Sequence, residues 1–303
     1  MKIDSLKRVL VVGSGTMGQQ IGLQCALHSY DVVLYDVDPI ALTMAENRIA
    51  GYLAHRVEDG HVDNAAATAA RKRLTFEPNA NIAAQNVDLL SESVPEDPVL
   101  KGQVFAQFNN LCPPRTLFTT NTSTLIPSMF AEMTGRPQQF AALHFHLPVW
   151  SSNVVDIMPH KGTSPETVAL LESFAQRIGQ IPIILEQENH GYVFNTMLEA
   201  FLRSALTLAA NGITPVENVD RAWMGIMKTP IGPFGIIDLV GLETVWKITD
   251  FWASTTKDTQ LRKNADFIKT FIDDGRLGIK NGQGFYIYPN PAFEAEGFLM
   301  GHK

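Results

Sequence analysis

The stretch from Arg8 to Asp36 constrains this chain more than any other. An apolar run, Arg8 to Val12, reads as a buried strand, Met17 to Ser29 carries helical periodicity, and Asp31 to Asp36 reads as a second strand. The three make a βαβ unit, and a parallel sheet follows. Between strand and helix stands Gly13-Ser14-Gly15-Thr16-Met17-Gly18. Gly13 permits the tight turn, Gly15 lets a pyrophosphate approach the backbone, and Gly18 lets helix and strand pack closely. Phosphates then meet the helix N-terminus at Thr16 and Met17. Asp36 follows Gly18 by 18 residues, at the end of the second strand. Its carboxylate suits ribose hydroxyls and would repel a 2′-phosphate by about 1 to 4 kcal/mol at ~4 Å, so the pattern favours NAD over NADP. The other reading of Asp36 is a turn former with Asp38-Pro39.

Further apolar strands at Val87 to Leu90, Leu117 to Thr120 and Phe140 to Phe145 alternate with helical stretches, as a doubly wound Rossmann-type sheet requires. The polar, alanine-rich segment 41–73 reads as a helical hairpin projecting from the sheet, with Asp59-Gly60 as its turn. After a strand at Ile181 to Leu185 the character changes. Val193, Met197, Leu198, Phe201, Leu202, Ala205 and Leu208 recur at helical steps, closed by Asn211-Gly212. Thr214-Pro215-Val216-Glu217 then signals a capped helix start, with Thr214 as cap and Glu217 returning the bond. The expected organisation is an α/β domain over 1–188, with the hairpin as an insertion, followed by an all-α domain over 189–303.

The chain's 303 residues suffice for two cores, and 45% hydrophobic with 18% charged residues is ordinary for a globular protein. A formal net charge of -7, with no long basic stripe, argues against nucleic acid and for a small-molecule partner. Cys25 and Cys112 supply neither a disulfide framework nor a metal cluster. No apolar run approaches the ~20 residues needed to span a membrane. A cytoplasmic protein without a metal is the expectation.

Oxidation of an alcohol beside a bound nicotinamide needs a base, and histidine titrates near neutrality. His28, His55 and His61 lie in polar or helix-end settings. His144 differs, because it stands at the end of the apolar strand Phe140-Ala141-Ala142-Leu143-His144-Phe145, and ligands in open α/β sheets gather at the carboxyl ends of strands. By pattern alone it is a candidate and no more.

The glycine loop, Asn121-Thr122-Ser123, Leu143-His144-Phe145, Gly191-Tyr192-Val193-Phe194-Asn195, Gly232-Pro233-Phe234 and Gly282-Gln283-Gly284-Phe285-Tyr286 occur in one order. In that order and spacing the chain resembles the 3-hydroxyacyl-CoA dehydrogenase family from about Arg8 to Tyr288. The resemblance implies an NAD-dependent enzyme of fatty acid metabolism, a homodimer whose helical domain forms the interface. It implies His144 as general base, with Asp156 orienting it, where the family usually has glutamate. It further implies Ser123 and Asn195 on the substrate's 3-oxygen, the site closing between the domains, with Glu96, Lys101 and Asn121 at the nicotinamide end. Read alone, Ser123 is a capping serine and Asn195 a helix-start residue.

Two departures bear on the substrate. Where the family commonly reads His-Phe-Phe-Asn-Pro, this chain reads His144-Phe145-His146-Leu147-Pro148, which removes a polar contact at the cofactor; His146 offers a substitute donor, and Pro148-Val149-Trp150 equally suggests a remodelled, more apolar pocket wall. In the hairpin, the family's serine and lysine for coenzyme A are replaced by Tyr52 and Asp59; Glu58 adds negative charge, and Arg56 with Arg71-Lys72-Arg73 are the remaining cations. The primary expectation is a short-chain L-3-hydroxyacyl-CoA, 3-hydroxybutyryl-CoA-like. The alternative is a CoA-independent 3-hydroxy acid dehydrogenase or diketoreductase, as in the diketoreductase and L-gulonate dehydrogenase/λ-crystallin branches. A non-enzymatic NAD-binding structural protein stands third.

Overall fold

A computed structural model describes residues 2–301. Strand-forming segments β1 (Arg8–Val12), β2 (Asp31–Tyr35), β3 (Leu74–Glu77), β4 (Leu89–Glu92), β5 (Leu117–Thr120), β6 (Phe140–Phe145), β7 (Val154–Pro159) and β8 (Ile181–Ile184) form one sheet in the order 3-2-1-4-5-6-7-8. Every pair is parallel except β6 with β7. A parallel return needs a crossover of a dozen or more residues, and the 146–153 connection is too short for one. Helices α1 (Thr16–Leu27), α2 (Pro39–Glu58), α3 (Asn64–Lys72), α4 (Ala80–Ala83), α5 (Pro98–Leu111) and α6 (Pro165–Arg177) join the strands. Val9, Val11, Val32 and Leu34 pack on one sheet face, and Leu10, Val12, Val33 and Leu90 on the other, the alternation that a sheet covered on both faces produces.

Two expectations shift here. The hairpin of α2 and α3 is anchored on the sheet as well as extended from it: Leu42, Ala45, Ile49 and Leu53, spaced three and four apart, and Ala70 join the core cluster that holds Val32 and Leu34, while the turn at Asp59-Gly60 is exposed. Strand β4 begins two residues later than the apolar run and continues into buried Ser91 and Glu92; just ahead of it the Asp88 carboxylate accepts the backbone N–H groups of Lys7 and Arg8. The edge strand β3, Leu74-Thr75-Phe76-Glu77, alternates apolar and polar residues but is only four residues long, too short to stand out after the helical segment before it.

The chain divides into two compact units between Val193 and Phe194. The second is helical, with α7 (Phe194–Ala210), α8 (Val216–Met227), α9 (Pro233–Val240), α10 (Leu242–Thr256) and α11 (Thr259–Asp273) around Leu202, Leu206, Phe234, Ile237, Ile268 and Phe285. The capping signal before α8 is placed differently from its reading: Pro215 is the N-cap with no side-chain cap bond, and Thr214 instead accepts the Asn218 amide at 2.9 Å. Two buried acids organise this unit. Asp220 accepts the N–H groups of Phe234 and Gly235 and the Tyr286 hydroxyl. Asp238 accepts those of Phe285 and Tyr286 and the Tyr288 hydroxyl. A Cβ at Gly232 would meet Asp220 at 2.5 Å, and one at Gly284 would meet Asp238 Oδ1 at 2.0 Å. The two glycine motifs of the second unit are therefore contacts with these carboxylates.

Candidate active site

The glycine loop is shaped as its spacing requires. Gly13 has φ +104°, and a Cβ there would lie 2.5 Å from the Ser93 carbonyl; one at Gly18 would lie 2.0 Å from the Gly13 carbonyl. Gly15 is the N-cap of α1, has no capping side chain, and has nothing within 4 Å of an added Cβ. Backbone is thus open at the one point where a pyrophosphate must approach, ahead of Thr16 and Met17, so the loop fits NAD. Asp36 Oδ2 accepts the Ser14 N–H at 2.9 Å and the Ser14 hydroxyl at 2.8 Å, and Oδ1 accepts the Asp38 N–H at 3.1 Å. The carboxylate therefore ties the end of β2 to the glycine loop and also starts the Asp38-Pro39 turn. Both readings of Asp36 retain a place.

Beyond the ends of β4 and β5 lies a cavity of about 290 Å³ lined by Met17, Ser93, Val94, Glu96, Lys101, Asn121, Ser123 and Thr124. Lys101, from α5, is buried and holds its ammonium 2.8 Å from Glu92 and 3.2 Å from Glu96. Glu92, the last residue of β4, also accepts the Thr120 hydroxyl at 2.6 Å. Burial outweighs these partners and pushes the Glu92 carboxyl up. Burial would raise Glu96 as well, but hydrogen bonds from Thr122 and Thr124 and the Lys101 charge hold it below the usual carboxylate range. Glu96 Oε1 further accepts the N–H groups of Ser123 and Thr124 at 3.1 and 3.2 Å, which sets the turn that presents Ser123. Asn121 Oδ1 accepts the Phe145 N–H at 2.8 Å, pinning the end of β5 to that of β6.

His144 sits on β6 directly opposite Asp156 on β7. Its Nδ1 is 3.1 Å from Asp156 Oδ2 and its Nε2 is 3.2 Å from the Ser123 hydroxyl. With the carboxylate ionised, Nδ1 carries the proton and Nε2 presents its lone pair at Ser123. Tyr192 stacks on the imidazole at 4.4 Å and 18°. It adopts φ +53° beside Gly191 at +81°, a conformation costing a non-glycine residue about 1 to 3 kcal/mol, and its hydroxyl donates to the Thr122 carbonyl at 2.7 Å. Burial pushes the His144 imidazolium pKa below the ordinary histidine value; the Asp156 bond opposes the shift and a charge on His146 would add to it. Burial would raise Asp156, but the bonds from His144 and His146 hold it low.

The structure thus brings together Ser123, His144 and Asp156 in one chain of contacts, and Glu96, Lys101, Asn121 and Met17 around the adjoining cavity. Asn195 is the second residue of α7, in the other unit. The sequence reading missed Glu92, although an acid closing an apolar strand was the available signal, and it missed the partner of His146. His146 Nε2 lies 3.0 Å from Asp156 Oδ2. His144, His146 and Asp156 have the composition of a metal-ligand set, and in this structure both rings are hydrogen-bonded to the same carboxylate oxygen, Asp156 Oδ2. Near the hairpin, Arg56 lies over the Trp150 ring at 4.9 Å, and Tyr52 packs against that ring at 5.5 Å.

A Rossmann sheet with an open glycine loop is a nicotinamide-dinucleotide-binding architecture, and the family this chain matches comprises NAD-dependent oxidoreductases acting on CH–OH groups. Models of the 3-hydroxyacyl-CoA dehydrogenase NAD-binding domain and C-terminal domain match residues 8–188 and 191–288, and the chain belongs to that family. It is 30% identical over 286 residues to a 3-hydroxybutyryl-CoA dehydrogenase of Mycobacterium tuberculosis, covering 94% of this chain and 99% of the relative. Among solved structures it is similar to a diketoreductase described as acting on dicarbonyl compounds (TM-score 0.86, 36% identity, 93% of this chain and 99% of that one). It is also similar to the (S)-3-hydroxybutyryl-CoA dehydrogenase of Ralstonia eutropha (TM-score 0.85, 25% identity, 94% and 100%). Among the described residues no helix is long and apolar enough to cross a membrane.

Proposed function

We propose that the protein interconverts a 3-hydroxy substrate, a short-chain L-3-hydroxyacyl-CoA of the 3-hydroxybutyryl type, and its 3-oxo partner, with His144 as general base. The observation that carries this is the Asp156–His144–Ser123 chain beside the Met17–Lys101–Asn121 cavity. NAD, when bound, supplies the two-electron acceptor or donor. Ser123 holds the 3-oxygen at His144 Nε2, which takes the hydroxyl proton during oxidation and returns it during reduction; Asp156 stabilises the imidazolium so formed. Asn195 is assigned to the same oxygen on the family resemblance alone. Gly15 and the start of α1 receive the pyrophosphate, Asp36 the ribose side, and Glu96, Lys101 and Asn121 the nicotinamide end.

A second reading is favoured by a specific observation. The end of α2 presents Glu58 and Asp59, Arg56 is engaged with Trp150, and the similar diketoreductase shares more identity with this chain than the two hydroxybutyryl-CoA enzymes do. A CoA-free 3-oxo acid, ester or diketone would use the same four residues. The experiment compares kcat/KM with NADH for acetoacetyl-CoA, a CoA-free 3-oxo ester and a free 3-oxo acid. Coenzyme contacts worth about 3 kcal/mol would give the thioester more than a hundredfold advantage, and a thioester no better than the others would replace the first reading by the second.

The protein is further proposed to be a cytoplasmic homodimer of fatty acid metabolism. Phe234 and Ile237 lie in the second unit's own core, whereas Phe194, Met197, Phe251 and Trp252 remain exposed on α7 and α10 as the apolar surface for such an interface. Light scattering at micromolar concentration checks this, and a monomer mass would end it.

A further inference from the structure

The reading of His144 as general base leaves one neighbour unused. His146 stands two residues after His144, one residue beyond the end of β6, and its ring reaches the carboxylate of Asp156, which faces His144 from β7. Both imidazoles meet a single carboxylate oxygen, Nδ1 of His144 at 3.1 Å and Nε2 of His146 at 3.0 Å. The rings lie edge to face at 4.6 Å. The family pattern combines phenylalanine at position 146 with glutamate at position 156; this chain changes both, shortening the acid by one methylene and adding a donor that reaches it.

We propose that His146 is a positioning residue, whose N–H fixes the short Asp156 carboxylate and divides that carboxylate's charge between two imidazoles. This rests on the proposed role of His144. With Oδ2 accepting from both rings, the Asp156 side chain has less freedom to swing away from Nδ1, and it stabilises a His144 cation less than an undivided carboxylate would. The charged and titratable groups facing His144 are Asp156 from β7, His146 from the residue after β6, Glu96 from the segment after β4 and Tyr192 from the segment after β8. Asp156 and Glu96 favour its cation, and a charged His146 opposes it. His146 therefore acts on His144 through Asp156, as a donor to the shared carboxylate oxygen, and its removal frees the base to bind its proton more tightly while loosening its acid.

The test uses the full chain labelled with nitrogen-15 histidine, in which the His144 resonances, assigned with His144→Gln, are titrated by NMR. His146→Phe is expected to raise the His144 midpoint by about 0.5 to 1.5 pH units, while His146→Gln, which keeps a neutral donor, leaves it near that of the parent. In turnover, His146→Phe should lower kcat about 3- to 30-fold with KM and NADH affinity within about twofold, and adding Asp156→Glu to His146→Phe should restore kcat. An unmoved midpoint in His146→Phe, a Gln variant that behaves like Phe, or a loss confined to KM overturns the proposal. If His146→Phe does not fold, His146→Ala is measured against the same expectations. Should the midpoint respond while His144→Gln leaves kcat intact, the general-base reading fails and the positioning contact stands.

Discussion

His144 and Asp156 are register partners on β6 and β7, the antiparallel pair of an otherwise parallel sheet, and their side chains meet at 3.1 Å. Antiparallel pairing sets the two Cβ atoms about 4.5 to 5.5 Å apart, so a shorter acid still reaches the ring. The dyad is thus built by strand register.

Replacing His144 by Gln should lower kcat about 10²- to 10⁴-fold while NAD affinity stays within a few-fold, because proton transfer is lost and the glycine loop is untouched. Asp156→Asn should also reduce kcat, by removing the negative charge that stabilises the imidazolium and by adding an amide NH2 that competes for Nδ1. Steady-state kinetics beside NADH fluorescence titration decides the matter, and unchanged kcat in Asp156→Asn would remove the orienting role.

The pH dependence follows from the burial of His144, which lowers its pKa despite the Asp156 bond. A base must be neutral to accept a proton, so oxidation should hold its kcat/KM as pH falls and lose it only below the ordinary histidine value of about 6.5. Reduction needs the imidazolium and should decline as pH rises through the same point. Profiles of kcat/KM in both directions test this; an oxidation limb centred above the ordinary value would contradict it.

Asp36→Ala should relax the preference for NAD over NADP by removing charge repulsion. Because Asp36 also accepts two bonds from Ser14, affinity for both cofactors should weaken as the loop loosens. The ratio of kcat/KM for NAD and NADP is the discriminating number, and no change in it would show that Asp36 does not face the ribose.

In the helical unit, Gly284→Ala should drive a methyl into the Asp238 carboxylate, 2.0 Å from its Oδ1. Disturbing three hydrogen bonds to a buried acid should cost about 2 to 5 kcal/mol in denaturant unfolding, and a loss under about 0.5 kcal/mol would refute the account. Asp220 adds a pH signature, since burial pushes its carboxyl up to about 6. Its folded pKa exceeds the unfolded value of about 3.9, so its protonated form favours folding. Stability should fall as pH rises from about 4 to about 6, by an amount on the order of 3 kcal/mol. Asp220→Asn should be less stable overall but lack that slope.

Local order determined much of this protein. The βαβ unit, the glycine loop, β5 and β6 are legible because apolar periodicity, glycine conformational freedom and strand ends are properties of short stretches of chain. The resemblance added the set of His144, Asp156, Ser123 and Asn195. What the chain's order could not express were contacts between distant residues: Asp88 on the backbone of Lys7 and Arg8; Glu92 beside Lys101; and Asp220 and Asp238 behind the two glycine motifs. The same holds for His146. Its sequence position marks only a departure from the family pattern, whereas folding β7 back against β6 places its Nε2 on the oxygen that His144 uses. A buried polar atom must find its partner wherever the packed chain brings one within about 3 Å, and that proximity is created by the tertiary structure alone.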